Sequence, residues 1–465
     1  MSKKFEQPSG NRHNEGLISV IENTVSMTTL GARLLRTTAS LLVTIALAAC
    51  DRPRPPDVAA REALKPGTYR GVLQLPGGEL PFGLDLEHEP SGWAGYLINA
   101  QERLQLSEVA VDGAHLEIKM PGYMNRLTAD AHGSQLQGEV VISKPGGKDQ
   151  HLPLSAEFNQ TYRFFPHPSA ARADVSGRWS VTFSADDGKQ ETAVGEFSQS
   201  NDVVTGTFLT DTGDHRYLAG QVQGNQLYLS TFDGAHAFLY RAKITEPDGA
   251  LAGDFWSGSA LHKRWIAKRD AHATLPDAYT VTAMRAEEKG FDFAFPDLDG
   301  KTVTSKDARF RGKVLVIALA GSWCPNCHDE AAFLAPLYKE YRGKGLEVVA
   351  LMFEHFGDFE RAAAATTRFR RQYGIEYPTL IAGVSDLDEA GKKLPMLQKF
   401  YGFPTTVIVD RQGQVRKIHT GFSGPATGEH YRQFIEEFRS NLEQLLAETP
   451  APIPAPPAAN RQSLH

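Results

Sequence analysis

Ten consecutive residues, "GSWCPNCHDE" from Gly321 to Glu330, carry most of the reactive chemistry in this 465-residue chain. Cys324 and Cys327 are spaced C-x-x-C, close enough to alternate between a dithiol and a disulfide. Cys324 to His328 also reads C-x-x-C-H, the pattern to which a c-type haem is attached. A thiol attacks as its thiolate, and an ordinary cysteine has a pKa of roughly 8.5, so one of the pair must be acidified to work near neutral pH. A helix beginning at Cys324 would supply unpaired N–H groups and the positive end of the dipole. Pro325 suits the first helical position, where its missing N–H costs nothing. Cys324 is then the attacking thiol, and Cys327 can reach back to resolve a mixed disulfide. His328 would share the helical face of Cys324 and, when protonated, favour its thiolate; the plain alternative is an exposed helix histidine. Glu330 has an equally plain reading as a first-turn carboxylate favoured by the dipole.

The third cysteine has a different context. Leu47-Ala48-Ala49-Cys50 ends an apolar run that follows Arg33 and Arg36, the order of a secretory signal. It resembles the lipobox of bacterial lipoproteins, which implies that Cys50 is lipidated and begins the mature protein. The run of about a dozen apolar residues is short for a membrane span, which needs about 20. Residues 1–49 are therefore expected to be leader, with Met27 the natural start. Asp51 favours retention at the inner membrane by lipoprotein sorting rules, with the protein facing the periplasm. Residues 50–66 are a Pro-rich tether. In that oxidising compartment the only cysteines left are Cys324 and Cys327, a pair kept for chemistry rather than for a structural framework.

The elements that must position this pair lie late in the chain. Length suggests about three domains of roughly 150 residues each. With 41% hydrophobic and 22% charged residues the composition is globular, and a net charge of −6 without any basic block sets nucleic acid aside. From Gly67 to about Asp270 short alternating segments such as "YRGVLQL" and "AHLEIKM" read as antiparallel strands between Gly, Asn and Asp turns. The pattern repeats at a spacing near 110 residues, with "GTYRGVLQL" over "GRWSVTFSA" and "SQLQGEV" over "GALAGDF". Two related barrels or sandwiches are expected, at 67–165 and 173–269, with starts reminiscent of lipocalin-like barrels. Residues 270–290 are a linker. From Phe291 the pattern becomes α/β. A hairpin turns at Asp299-Gly300, and the buried strand "KVLVIALA" leads into the cysteines. A glycine-closed helix follows, then "LEVVALMF", a helix over Phe359–Tyr373, a helical stretch "AGKKLPMLQKFYG", two strands and a last helix. Residues 448–465 are a disordered Pro/Ala tail.

"GSWCPNC" is similar to the W-C-x-x-C of thioredoxins, and "YGFPTT" (Tyr401–Thr406) to their G-x-P-T segment. The hairpin, Glu330 and "IHTGFSGPATGEHY" look most like the membrane-associated TlpA-like (redoxin) branch. The likeness covers residues 291–447 and implies a thioredoxin-like α/β domain that exchanges disulfides with protein clients, in the reducing direction, without a cofactor other than the Cys324–Cys327 pair. It also implies a membrane-linked electron donor or acceptor. It implies a cis Pro404 facing Cys324, a client strand paired with the backbone of Phe403 beside Thr405, and Trp323 as a shield and docking surface. An acid at the place of Glu330 is implied to manage the proton of the buried cysteine. Ala318 stands where thioredoxin itself has a buried aspartate, which adds weight to Glu330.

Other chemistries fit less well. Haem iron needs a second axial ligand on a helical surround, and the Pro-Thr segment has no role there. Two thiolates and one adjacent histidine do not make a four-ligand zinc site. A peroxiredoxin-like peroxidase would use a T-x-x-C pocket, where this chain has tryptophan and a second cysteine. The remaining alternative is a binding protein whose β units recognise an unknown ligand or a metal such as copper.

Overall fold

The computed structural model describes residues 63–448 except 107 and 246–248. The expected leader, the lipidated Cys50, nearly all of the tether and of the tail lie outside the described residues.

The first β unit is an antiparallel meander of nine strands, from Gly67–Leu75 to Gln150–Phe158. Its first strand pairs with both its second and its last, so Gly71 lies between Phe82 and Ala156. Alternate residues point inward, and Leu73, Leu80, Leu84 and Leu97 are fully buried. The second unit is also a nine-stranded antiparallel sheet, from Gly177–Ala185 to Leu261–Arg269, with Val181 between Ala193 and Ala267. Here Gln190–Ser200 also pairs with Val203–Thr210, which closes the sheet into a barrel. Trp179, Trp265 and Phe208 fill its interior.

The two units make matching local contacts. The Tyr69 hydroxyl donates to the carbonyl of Lys65 (2.7 Å), and the Trp179 indole N–H to that of Val175 (2.9 Å), each four residues upstream. Gly138 and Gly253 each lie against a cross-strand carbonyl: an added Cβ would stand 1.9 Å from the oxygen of Thr128 or of Arg241. The units also share an interior, because Phe232, Ala237 and Leu239 of the second belong to the core of the first. Arg163, between them, donates to the Ile98 carbonyl, Asn99 and Ser230.

Residues 270–290 hold a one-turn helix, Ala278–Val281, and the short strand Ala283–Met284. The C-terminal domain follows. Its five-stranded sheet runs β3-β2-β1-β4-β5, with β1 Val314–Ala320, β2 Leu346–Glu354, β3 Thr379–Val384, β4 Thr405–Val409 and β5 Val415–Thr420. Strands β1–β3 are parallel, and β4 and β5 antiparallel. Helices α1 (Pro325–Tyr341), α2 (Phe359–Tyr373) and α3 (Glu429–Ala447) accompany it. Every residue of β1 and β2 is buried, as strands covered on both faces require. The expected helical stretch over "AGKKLPMLQKFYG" is corrected: helix covers only Leu387–Lys393, and Leu397–Lys399 pairs with Ala283–Met284. Pro395 has no N–H to continue the helix and forces Leu394 out of the helical region.

Candidate active site

Strand β1 ends at Ala320, and the chain turns through Gly321-Ser322-Trp323 to place Cys324 at the N-cap of α1. Pro325 occupies the first helical position, and the Cys327 N–H donates to Cys324 Sγ at 3.3 Å. An amide thus points at Cys324 Sγ, an arrangement that favours negative charge on a sulfur. Cys324 and Cys327 form a disulfide with Cα atoms 5.2 Å apart, and only 4% and 1% of their surfaces are exposed.

The Phe403–Pro404 peptide is cis. Phe403 packs its ring against Trp323, Phe353 and Phe400. Thr405 is buried, with its hydroxyl on the Gly402 carbonyl, and so braces the turn from inside. Trp323 stacks on His355 and donates its indole N–H to the Phe353 carbonyl (2.8 Å).

Glu330 is buried and its carboxyl meets the Thr406 hydroxyl. Desolvation pushes its pKa up to about 7, against a lowering by that hydrogen bond. The group is poised to gain or lose a proton near neutral pH. Sequence reading missed a second such carboxyl. Glu354, the last residue of β2, accepts from the N–H (3.1 Å) and hydroxyl (2.7 Å) of Ser322 and from the Thr366 hydroxyl (3.1 Å). Burial raises it too, to about 7. A glutamate closing the apolar run Val348–Phe353 was the only signal in the sequence.

The expected role of His328 as a protonated neighbour of Cys324, and its alternative as an exposed helix residue, are both corrected. The ring is 1% exposed, between Tyr123 of the first β unit (stacked, 3.9 Å) and Phe369. Its Nε2–H donates to the Ser322 carbonyl (2.7 Å), so Nδ1 accepts from the Tyr373 hydroxyl (2.8 Å). Burial drives its pKa down to about 3, and the ring is a neutral brace behind the cysteine turn.

The second β unit reaches the same helix. Asn326, between the cysteines, donates to the Asp214 carbonyl (3.0 Å). Arg216 pairs with Asp329 of α1 (3.0 Å), with Glu102 of the first unit (2.8 Å) and with Asp233 (3.2 Å).

A family model described as Redoxin matches residues 285–433. The thiol-disulfide oxidoreductase ResA of Halalkalibacterium halodurans is 27% identical over 153 residues, covering 33% of this chain and 78% of that protein. ResA of Bacillus thuringiensis subsp. konkukian is 29% identical over 149 residues, covering 31% and 74%. The C-terminal domain is a redoxin domain of the thioredoxin superfamily. It makes the protein an enzyme of the thiol–disulfide oxidoreductase class. Among solved structures, a thioredoxin-family thiol:disulfide interchange protein from Chlorobium tepidum TLS aligns with 19% identity and a TM-score of 0.27, covering 35% of this chain and 99% of that one.

Proposed function

We propose that this protein is a membrane-anchored, periplasm-facing oxidoreductase that reduces protein disulfides through Cys324 and Cys327. The observation that carries the reading is the cap geometry: Cys324 Sγ receives the Cys327 N–H at the start of α1, and the preceding Trp323 packs on Phe403 of the cis Phe403–Pro404 bond. Cys324 attacks a client disulfide and is left in a mixed disulfide, with one client sulfur leaving as thiolate. Cys327 then attacks Cys324 Sγ, forms the intramolecular disulfide and releases the second client thiolate. Buried Glu330 takes up and returns the proton that Cys327 must lose. Phe403 and Trp323 form the surface where the client strand docks. A membrane-linked donor returns two electrons to the pair, and the lipid on Cys50 keeps the enzyme at the inner membrane. The two β units are related copies, a reading supported by the matched contacts of Tyr69 and Trp179 and of Gly138 and Gly253.

The test replaces Cys327 by Ser, so that Cys324 cannot be released, and isolates what it holds in cells. Captured cysteine proteins, absent when Cys324 is also replaced, are expected. No captured protein would overturn the reading.

A further inference from the structure

Residues 211–216 of the second β unit, the turn following Val203–Thr210, lie against the segments that flank the cysteines and the cis proline. The Tyr401 hydroxyl, three residues before Pro404, donates to Asp211 Oδ2 (2.9 Å). An added Cβ on Gly402 would meet the Thr212 methyl at 2.9 Å. Gly213 forms a parallel bridge with Phe422, and a Cβ there would stand 2.4 Å from the side-chain amide carbon of Asn326. Asp214 accepts from the Gly424 N–H (2.6 Å) as well as from Asn326. These contacts touch three segments of the redoxin domain: the cysteine turn, the cis-proline loop and the loop after β5. The Gly213 bridge and the Asp214 carbonyl supply backbone groups, as strand addition does, and the Asp211 and Asp214 carboxylates accept the other two hydrogen bonds.

The hold is incomplete. Asp211 Oδ1 is buried with no partner among the described residues. Arg216 is held at a φ of +55°, a left-handed conformation that a non-glycine residue adopts at some cost.

We propose that residues 211–216 are a built-in occupant of the client site, so that this structure is a closed form and a polypeptide client reaches Cys324 by displacing them. The inference rests on the thiol-exchange reading above, and a small disulfide reagent, which need not lie along the cis-proline loop, separates the two.

The test uses the full chain with Cys50 and Cys327 replaced by Ser, leaving Cys324 as the only thiol. Two disulfides are offered, each releasing 5-thio-2-nitrobenzoate as its sulfur bonds to Cys324: the symmetrical dithiobis(nitrobenzoate), and a ten-residue peptide carrying one thionitrobenzoate on its cysteine. Asp211→Ala, which cuts the bond to Tyr401, is expected to speed peptide attachment about fivefold or more, the worth of one net hydrogen bond. Attachment of the small disulfide is expected to stay within about twofold of the parent. Asp214→Ala, which removes the acceptor of the Gly424 N–H, provides a second variant with the same expectation, and Asp211→Ala stands alone if that variant does not fold. In the peptide adduct the amides of residues 211–216 are expected to exchange hydrogen faster than in the free protein. If both probes shift equally, or neither does, or those amides keep their protection in the adduct, the closed-form inference is wrong while the thiol-exchange reading survives. If neither probe reacts with Cys324, both are wrong.

Discussion

Glu354 holds Ser322 by two hydrogen bonds, one from its N–H and one from its hydroxyl, two residues ahead of Cys324. The turn that presents Cys324 is therefore anchored through Ser322 to a carboxyl 32 positions further along the chain. Glu354→Ala leaves the buried Ser322 and Thr366 groups without their acceptor, at a cost of about 3 kcal/mol. Urea unfolding should show that loss, and the rate of Cys324 alkylation in the reduced protein should change with it. Glu354→Gln keeps an acceptor oxygen and should lose less than half as much.

Glu330 and Glu354 impose a pH dependence whose sign is fixed. Burial raises each folded-state pKa to about 7, above the ordinary 4.5 of the unfolded chain. Between those values the folded state holds a proton that the unfolded state has released, so stability falls as pH rises from 4.5 to about 7. For Glu330 alone the loss is roughly 3 kcal/mol, taken as an order of magnitude. Glu330→Gln should lessen the fall of the urea midpoint between pH 5 and pH 8 by about half, leaving the share of Glu354. It should also remove a step near pH 7 from the rate at which Cys327 resolves a mixed disulfide; a profile that keeps this step removes Glu330 from the proton path.

His328 contributes no charge at working pH. Its pKa of about 3 means that Cys324 reactivity should show no inflection from this ring between pH 5 and pH 8. His328→Ala instead opens a void against Tyr123 and Phe369 and frees the Ser322 carbonyl, costing about 3 kcal/mol by thermal or urea unfolding.

Gly138 and Gly253 provide a test of the kinship between the β units. Alanine at either would drive Cβ into a backbone oxygen on the neighbouring strand. Each change should destabilise by about 2 kcal/mol or more, with similar magnitude at the two sites. A neutral substitution at one and not the other would argue against equivalent positions.

What was legible in the sequence is what is decided locally. Helix α2 spans Phe359–Tyr373 as read, because Asp358 caps its first turn and Gly374 ends it in a left-handed conformation. The cysteines, the cap proline and the cis bond beside Phe403 sit within short quotable motifs. The rest depends on distant partners. Burial of His328 comes in part from Tyr123, in another unit of the chain. Asn326 could be read as a spacer between cysteines, but its partner Asp214 is 112 positions away. No periodicity or spacing announces a contact of that kind.

The shared interior of the two β units bears on how such a chain can be taken apart. Phe232 and Leu239 fill the core of the first unit, and Phe82 meets Phe232 edge to face with centroids 4.9 Å apart. A fragment cut between Phe158 and Gly177 would carry those side chains into water on one side and leave their socket open on the other. Gene fusions or expression plasmids that treat the boundary near residue 165 as a seam should yield aggregates, whereas the pair retained together should survive. Neither unit can be parted from the other without opening that shared interior to water.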